Sequence, residues 1–220
     1  MASPALISPR VRADGLAFDP EAACRHLAQA DADLGGLIER VGEFTMRPSP
    51  GRSLFASLMR SIVYQQLSGR AAATILGRVN LLFAPRRFPT PDDLLAVAPE
   101  RLRQAGLSAA KTAALHDLAA KTLDGTVPSL PRVRRMDDEE IIERLTAVRG
   151  VGRWTVEMLL MFKLGRPDVF PVGDLGIRKG FALTFRKRSL PEPAVMIRRG
   201  ERWRPYRSVA SWYLWRALEL

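Results

Sequence analysis

The chain has 220 residues, of which 47% are hydrophobic; that suffices for one large core or two small helical lobes and excludes a wholly disordered chain. Its lone cysteine, Cys24, excludes an internal disulfide, a zinc ribbon and a four-cysteine iron–sulfur cluster. Thirty-four lysines and arginines against 23 acids give a formal charge of +11, a field that attracts polyanions, of which nucleic acid is the commonest. No apolar run approaches the ~18 residues that cross a bilayer. Residues 1–12 lack an apolar stretch followed by a small-residue cleavage site. The expected location is therefore the cytoplasm or nucleus, with no membrane partner and no secretion. The basic residues are densest at 132–135, 186–188 and 198–207, spread over several segments rather than along one amphipathic face.

Taken in chain order, residues 1–18 read as irregular, and 47–52, with Pro48, Pro50 and Gly51, reads as a connection after the N-terminal helices. Leu54, Phe55, Leu58, Met59, Ile62 and Val63 recur at helical spacing, and this helix is expected to end near Ser68-Gly69. A second apolar helix is expected over 71–83. Thr90-Pro91-Asp92 and Ala98-Pro99-Glu100 place proline in first helical turns, where its missing N–H is no loss. A helix over 108–123 is interrupted by Gly125 and Pro128. Asp137 with Glu140 has the spacing of a capping box, opening a helix whose apolar face is Ile141, Ile142, Leu145 and Val148. Helices are expected over 152–164, closed by Gly165, then over 175–185 and 206–218. No pair of alternating strands and no fixed-period repeat is present, so the fold is expected to be all-α. Residues 53–163 are expected to form a central helical lobe, and 1–52 to pack with 164–220 as the other.

The sharpest local feature is Leu145-Thr146-Ala147-Val148-Arg149-Gly150-Val151-Gly152-Arg153-Trp154-Thr155. An amphipathic helix ends, two glycines turn the chain, and another helix begins. Glycine permits positive φ and close backbone approach, while a helix start presents unpaired N–H groups and partial positive charge. Such a turn can grip a phosphate through main-chain amides without reading sequence. The alternative is a tight helical corner that packs Val151 into a core.

Downstream, Gly165-Arg166-Pro167-Asp168-Val169-Phe170-Pro171-Val172-Gly173-Asp174-Leu175 reads as an extended return in which prolines suppress helix. The preceding helix spans roughly 20 Å at ~1.5 Å per residue, and nine extended residues reach about 30 Å. The chain can therefore return Asp174 to the hairpin end. An acid at this place is also a natural N-cap, and the two roles are compatible because a cap fixes the carboxylate's direction. Asp168 is the competing carboxylate, lying earlier and without the glycine turn. His26 and His116 fall in helical segments and read as structural.

These residues carry a resemblance. The hairpin with Pro171-Val172-Gly173-Asp174 resembles the helix-hairpin-helix, Gly/Pro-Asp superfamily of DNA glycosylases, within it the alkylbase (3-methyladenine type II, AlkA-like) branch. Ser61-Ile62-Val63-Tyr64-Gln65-Gln66-Leu67-Ser68, Gly106-Leu107-Ser108 leading to Lys111, and Trp203-Arg204-Pro205-Tyr206-Arg207-Ser208 support it, in the family's order. The resemblance implies an all-helical, two-lobed fold with a cleft between the lobes. It implies a monomer that acts on double-stranded DNA containing damaged bases, flipping the base and cutting its glycosidic bond in base excision repair.

Residue by residue, it assigns catalysis to Asp174. Gripping of the DNA backbone falls to the hairpin at Gly150, Val151, Gly152, Arg153 and Thr155. Leu67, with Gln66, is assigned as the wedge that fills the space left by the flipped nucleotide; the plainer reading of Leu67 is a core leucine. Trp154 and Trp215, then Tyr64 and Met158, are the candidates for the base pocket, and two of Trp212, Tyr213 and Trp215 are expected to be core. Family members often hold a monovalent ion, Na+ or K+, on main-chain carbonyls that correspond to Thr146, Arg149 and Val151; no other cofactor is required. Relatives with an added strand-cleaving lyase activity carry lysine where this chain has Trp154, so a monofunctional hydrolase is implied. The chain departs from the longer relatives in having only about fifty residues before the helical core, too few for their extra β-containing domain. Arg149 also replaces a common proline. Against this stand a non-catalytic DNA-binding hairpin module, a same-fold glycosylase for mismatched or oxidised bases, and a basic protein-interaction domain.

Overall fold

A computed structural model describes residues 15–49, 51 and 53–220. The reading of residues 1–14 as irregular lies outside the described residues, as do Pro50 and Arg52 of the expected connection. In chain order the helices are α1 (Pro20–Ala30), α2 (Ala32–Val41), α3 (Leu54–Tyr64), α4 (Gly69–Leu81), α5 (Pro91–Ala96), α6 (Pro99–Gln104) and α7 (Ala109–Leu123). They continue as α8 (Leu130–Val133), α9 (Asp138–Thr146), α10 (Arg153–Phe162), α11 (Leu175–Thr184), α12 (Pro193–Gly200) and α13 (Arg207–Arg216), with a 3-10 turn at Glu201–Trp203. Among the described residues there is no strand, so the fold is all-α as expected, and no helix is long and apolar enough to cross a membrane. The chain divides into two compact units, Met1–Pro50 with Glu157–Leu220, and Gly51–Val156. The division falls inside α10.

The unit of 51–156 is built on α3, whose Leu54, Phe55, Leu58, Met59, Ile62 and Val63 are buried. They pack against α7, which contributes Ala114, Leu115, Leu118 and Ala119. The end of α3 differs from expectation. The helix stops at Tyr64, and Ser68-Gly69 opens α4 instead, with the Ser68 hydroxyl accepting from the Ala71 N–H at 3.3 Å. A serine with a free chain ahead of it is a better N-cap than a stop. The capping box is likewise displaced. Asp137 makes no side-chain cap bond, whereas Thr90 and Asp93 cap each other reciprocally at the start of α5.

The other unit is organised around α13, buried on all sides through Ser208, Val209, Ala210, Ser211, Trp212, Tyr213 and Leu214, as a central helix must be. α11 lies so close to it that a Cβ on Gly180 would fall on the carbonyl oxygen of Leu214. Asp31, between α1 and α2 and only 3% exposed, accepts from Arg199 at 2.6 and 2.7 Å and from the Trp203 indole at 3.1 Å. Burial acts to raise the pKa of this carboxyl, but the hydrogen bonds from Arg199 and Trp203 and the guanidinium charge outweigh it and hold the carboxyl below its ordinary value.

Candidate active site and nucleic-acid interface

In the unit of 51–156, two turns stand out. After α3 the chain reverses through Gln66, which has φ of 56°, a left-handed conformation that costs a non-glycine residue about 1 kcal/mol. Strain of this kind collects at functional turns. The turn displays Gln66 and Leu67, the latter 38% exposed, so Leu67 is not a core leucine. Tyr64 is half-buried, with the guanidinium of Arg60 4.0 Å from its ring centroid.

The second turn joins α9 to α10. Gly150 has φ of 77°, and the N–H groups of Val148 and Val151 bond back to the carbonyls of Leu145 and Val148. Val151 is buried, so the core-packing reading of that side chain holds; its N–H is engaged as well, and what Val151 can offer a ligand is its carbonyl. Gly150, Gly152, Arg149 and Arg153 are exposed, with Arg153 in a bidentate pair with Glu139. Thr155 is buried in side chain and lies in the first turn of α10. The turn carbonyls of Leu145, Ala147, Val148 and Gly150 accept from the N–H groups of Ala147 and Val148, from Lys121, from Val151 and from Gln65. The other three, Thr146, Arg149 and Val151, are the set that the resemblance assigns to a monovalent cation. Neutral carbonyl oxygens are the donors that replace the hydration shell of such an ion, so this set fits it in chemistry.

The same helix α7 supports both turns, which the sequence did not reveal. Lys111 donates from Nζ to the carbonyls of Val63 and Gln65, each at 2.7 Å. Asp117 accepts the Arg149 N–H at 2.7 Å and pairs with Lys121 at 2.8 Å. The Gln65 amide donates directly to the Gly150 carbonyl at 2.8 Å.

In the other unit, the extended return is tied to α13 before it reaches Asp174. The Ser208 hydroxyl donates to the Arg166 carbonyl at 2.6 Å and accepts the Val169 N–H at 2.9 Å, while the Ser208 N–H bonds to Pro167. Asp168, the competing carboxylate, is held by Arg204 at 2.6 Å and Arg207 at 2.8 Å; that is a structural role. Pro171 to Asp174 then closes a turn, with the Asp174 N–H on the Pro171 carbonyl at 2.9 Å.

Asp174 caps α11. Its Oδ1 accepts the Ile177 N–H at 2.8 Å and also the indole N–H of Trp215 at 2.9 Å. A Cβ on Gly176 would sit 2.9 Å from the Trp215 ring and 3.0 Å from Asp174 Oδ1; only a glycine leaves the two room to meet. Trp215 stacks on Phe162 at 5.7 Å between centroids and 27° between planes. Of the three aromatic residues at the end of the chain, Trp212 and Tyr213 are buried in the core and Trp215 is not.

Phe162 continues a stripe on α10. Trp154, Met158 and Phe162 follow at four-residue spacing on one helix face, and Trp154 and Phe162 are 50% and 36% exposed. Sequence reasoning named Trp154 and Met158 and missed Phe162, which the same spacing would have found. Met158, Trp215 and Asp174 lie in one unit, whereas Tyr64, Gln66, Leu67, Trp154 and the hairpin lie in the other. His26 and His116 sit in α1 and α7, and neither is among the residues of these sites.

Residues 59–205 match the model of the HhH-GPD superfamily base excision DNA repair protein. The chain is 36% identical over 200 residues to DNA-3-methyladenine glycosylase 1 of Schizosaccharomyces pombe, covering 89% of this chain and 86% of that protein. Among solved structures, the S. pombe 3-methyladenine DNA glycosylase Mag1 in complex with abasic DNA superposes with a TM-score of 0.79 at 36% identity, over 90% of this chain and 97% of that one. A DNA-3-methyladenine glycosidase from Bacillus halodurans superposes with a TM-score of 0.81 at 36% identity, over 89% and 88% of the two chains. The chain belongs to the HhH-GPD superfamily of base excision DNA repair proteins.

Proposed function

We propose that this protein is a monofunctional DNA glycosylase of the AlkA-like alkylbase branch, acting on chromosomal DNA in the cytoplasm or nucleus. It flips a base alkylated at a purine ring nitrogen out of the duplex and hydrolyses its bond to deoxyribose. The observation that carries this reading is the Asp174 carboxylate, fixed by the Ile177 and Trp215 N–H groups, with Trp215 in turn stacked on Phe162 of the exposed stripe of α10.

Alkylation at N3 or N7 leaves the base cationic, so it departs with the glycosidic electron pair as a neutral molecule and needs no acid. Positive charge then develops on the sugar, where a fixed carboxylate stabilises it. A water oxygen bonds to C1′ and releases one proton, and Asp174 is the group to orient that water. No histidine is needed. Trp154 has no amine, so no Schiff base forms and the strand is left uncut. Met158, Phe162 and Trp215 supply faces for a flipped, cationic base, which cation–π attraction favours by roughly 0.5–2 kcal/mol, and Trp154 is the aromatic candidate of the other unit. Holding it offsets an unstacking cost of a few kcal/mol. The amides of Gly150 and Gly152 in the turn and of Thr155 in the first turn of α10 hold the DNA backbone, and Leu67 with Gln66 fills the gap in the stack. A monovalent cation on the carbonyls of Thr146, Arg149 and Val151 would add positive charge beside the phosphate.

The test is release of 3-methyladenine and 7-methylguanine from duplex DNA by the protein and by Asp174→Asn. Release by the wild type, reduced by about 10²-fold or more in the variant, is the expected result. Salt-sensitive DNA binding without release from either would overturn the enzyme in favour of a binding module, and release only of mismatched or oxidised bases would overturn the substrate class.

A further inference from the structure

We propose that α7 is a spacer that fixes the wedge turn and the phosphate-gripping hairpin relative to each other, with Lys111 and Asp117 as positioning residues for base flipping. The inference rests on the glycosylase reading above and adds to it the residues that make flipping efficient.

Lys111, Ala114, Asp117 and Lys121 recur at three- and four-residue spacing along α7, so they form one stripe. Each meets one of the two turns. The Lys111 ammonium caps the last turn of α3 through the Val63 and Gln65 carbonyls, where a helix end carries partial negative charge. Ala114 lies beneath the hairpin, 3.4 Å from where a Cβ on Gly150 would be. Asp117 holds the Arg149 N–H, and Lys121 bridges Asp117 and the Ala147 carbonyl. The Gln65 amide, donating to Gly150, closes the loop between the turns.

The chemistry of these groups is unusual for their type. In a chain of charge +11, a lysine serving DNA would be expected to point its ammonium at phosphate. Lys111 turns it instead onto protein carbonyls, and burial lowers its pKa from the ordinary lysine value. Gln66 at positive φ would relax if the turn were released. A wedge and a backbone grip act on neighbouring nucleotides, so a displacement of 1 Å between them is expected to cost about 10²-fold in rate. The cost falls on extrusion of a stacked, paired base and spares the chemistry at a base already out of the stack.

The experiment compares single-turnover release of 7-methylguanine from a base pair and from an unpaired loop, using Lys111→Met, Gln65→Leu and Lys111→Arg. The methionine and leucine variants are expected to slow release from the pair about tenfold or more and to change release from the loop by no more than about twofold. Lys111→Arg, which keeps the donors, should restore the paired rate. Equal slowing on both substrates would reduce α7 to a stability role, and no slowing on either would remove the inference. If the wild type releases no base from either substrate, the glycosylase reading fails first and takes this one with it. Two variants that break different bonds, Lys111 to the wedge turn and Gln65 to the hairpin, keep the test valid if one of them does not fold.

Discussion

The indole N–H of Trp215 and the Ile177 N–H converge on the same oxygen of Asp174, at 2.9 and 2.8 Å. Two donors on one oxygen fix the plane of the carboxylate more firmly than a helix cap alone. Trp215→Phe keeps a ring to stack on Phe162 and removes only the donor. Single-turnover base release should fall by roughly tenfold to a hundredfold, with less than about 1 kcal/mol lost in urea unfolding. Unchanged release would mean that the cap orients Asp174 by itself.

Gly176 makes that contact sterically possible. In Gly176→Ala the new methyl would lie 2.9 Å from the Trp215 ring, so the ring must retreat from Asp174. Alanine otherwise favours helix by about 1 kcal/mol over glycine. The variant should therefore lose activity by about tenfold or more without a matching loss of melting temperature, and a crystal structure should show the indole hydrogen bond broken.

Leu67→Ala separates wedge from core. Leu67 is 38% exposed, and an exposed truncation should shift stability by no more than about 0.5 kcal/mol. Release of an alkylated base from duplex DNA should nevertheless slow by about tenfold, since nothing fills the space behind the extruded nucleotide. Fluorescence of 2-aminopurine beside the lesion would report the lost flipping directly.

Asp31 contributes to the acid dependence of stability with a definite sign. Its folded pKa lies below the ordinary value, so its contribution is present above about pH 3.9 and is lost as pH falls through the lower, folded value. Wild-type unfolding free energy should drop across that acid window. Asp31→Asn should cost about 2 kcal/mol at pH 7, because Arg199 and the Trp203 indole lose a charged acceptor while Arg199 keeps Asp33, and should reduce the acid dependence. Urea unfolding of both proteins at pH 7 and pH 3 checks this.

What could be read in the sequence follows the range of the interactions involved. The apolar face of α3, the proline-started helices and the N-cap at Asp174 depend on neighbours within four residues, and periodicity finds them. α12 was missed because eight residues, PAVMIRRG, hold too short a period and too many charges to stand out. Ser68 was misread because a cap serine and a stop serine look alike until the next helix is placed. The bonds of Lys111 to Val63, 48 residues apart, and of Trp215 to Asp174, 41 apart, are tertiary, and no local pattern marks them. Asp168 and Asp174 are equivalent as letters. The arginines at 204 and 207, far along the chain, take one and leave the other as a helix cap.

The cap has an evolutionary consequence. An asparagine at position 174 still offers a side-chain oxygen to the Ile177 N–H, and asparagine caps helices as well as aspartate does. The two amino acids are one nucleotide change apart. A descendant of this protein can therefore lose its carboxylate while its helices, its hairpin and its affinity for the duplex stay intact. On the role proposed for Asp174, such a chain would superpose on its ancestor and bind the same DNA, and only the letter at 174 would tell a repair enzyme from a silent copy that shields the lesion.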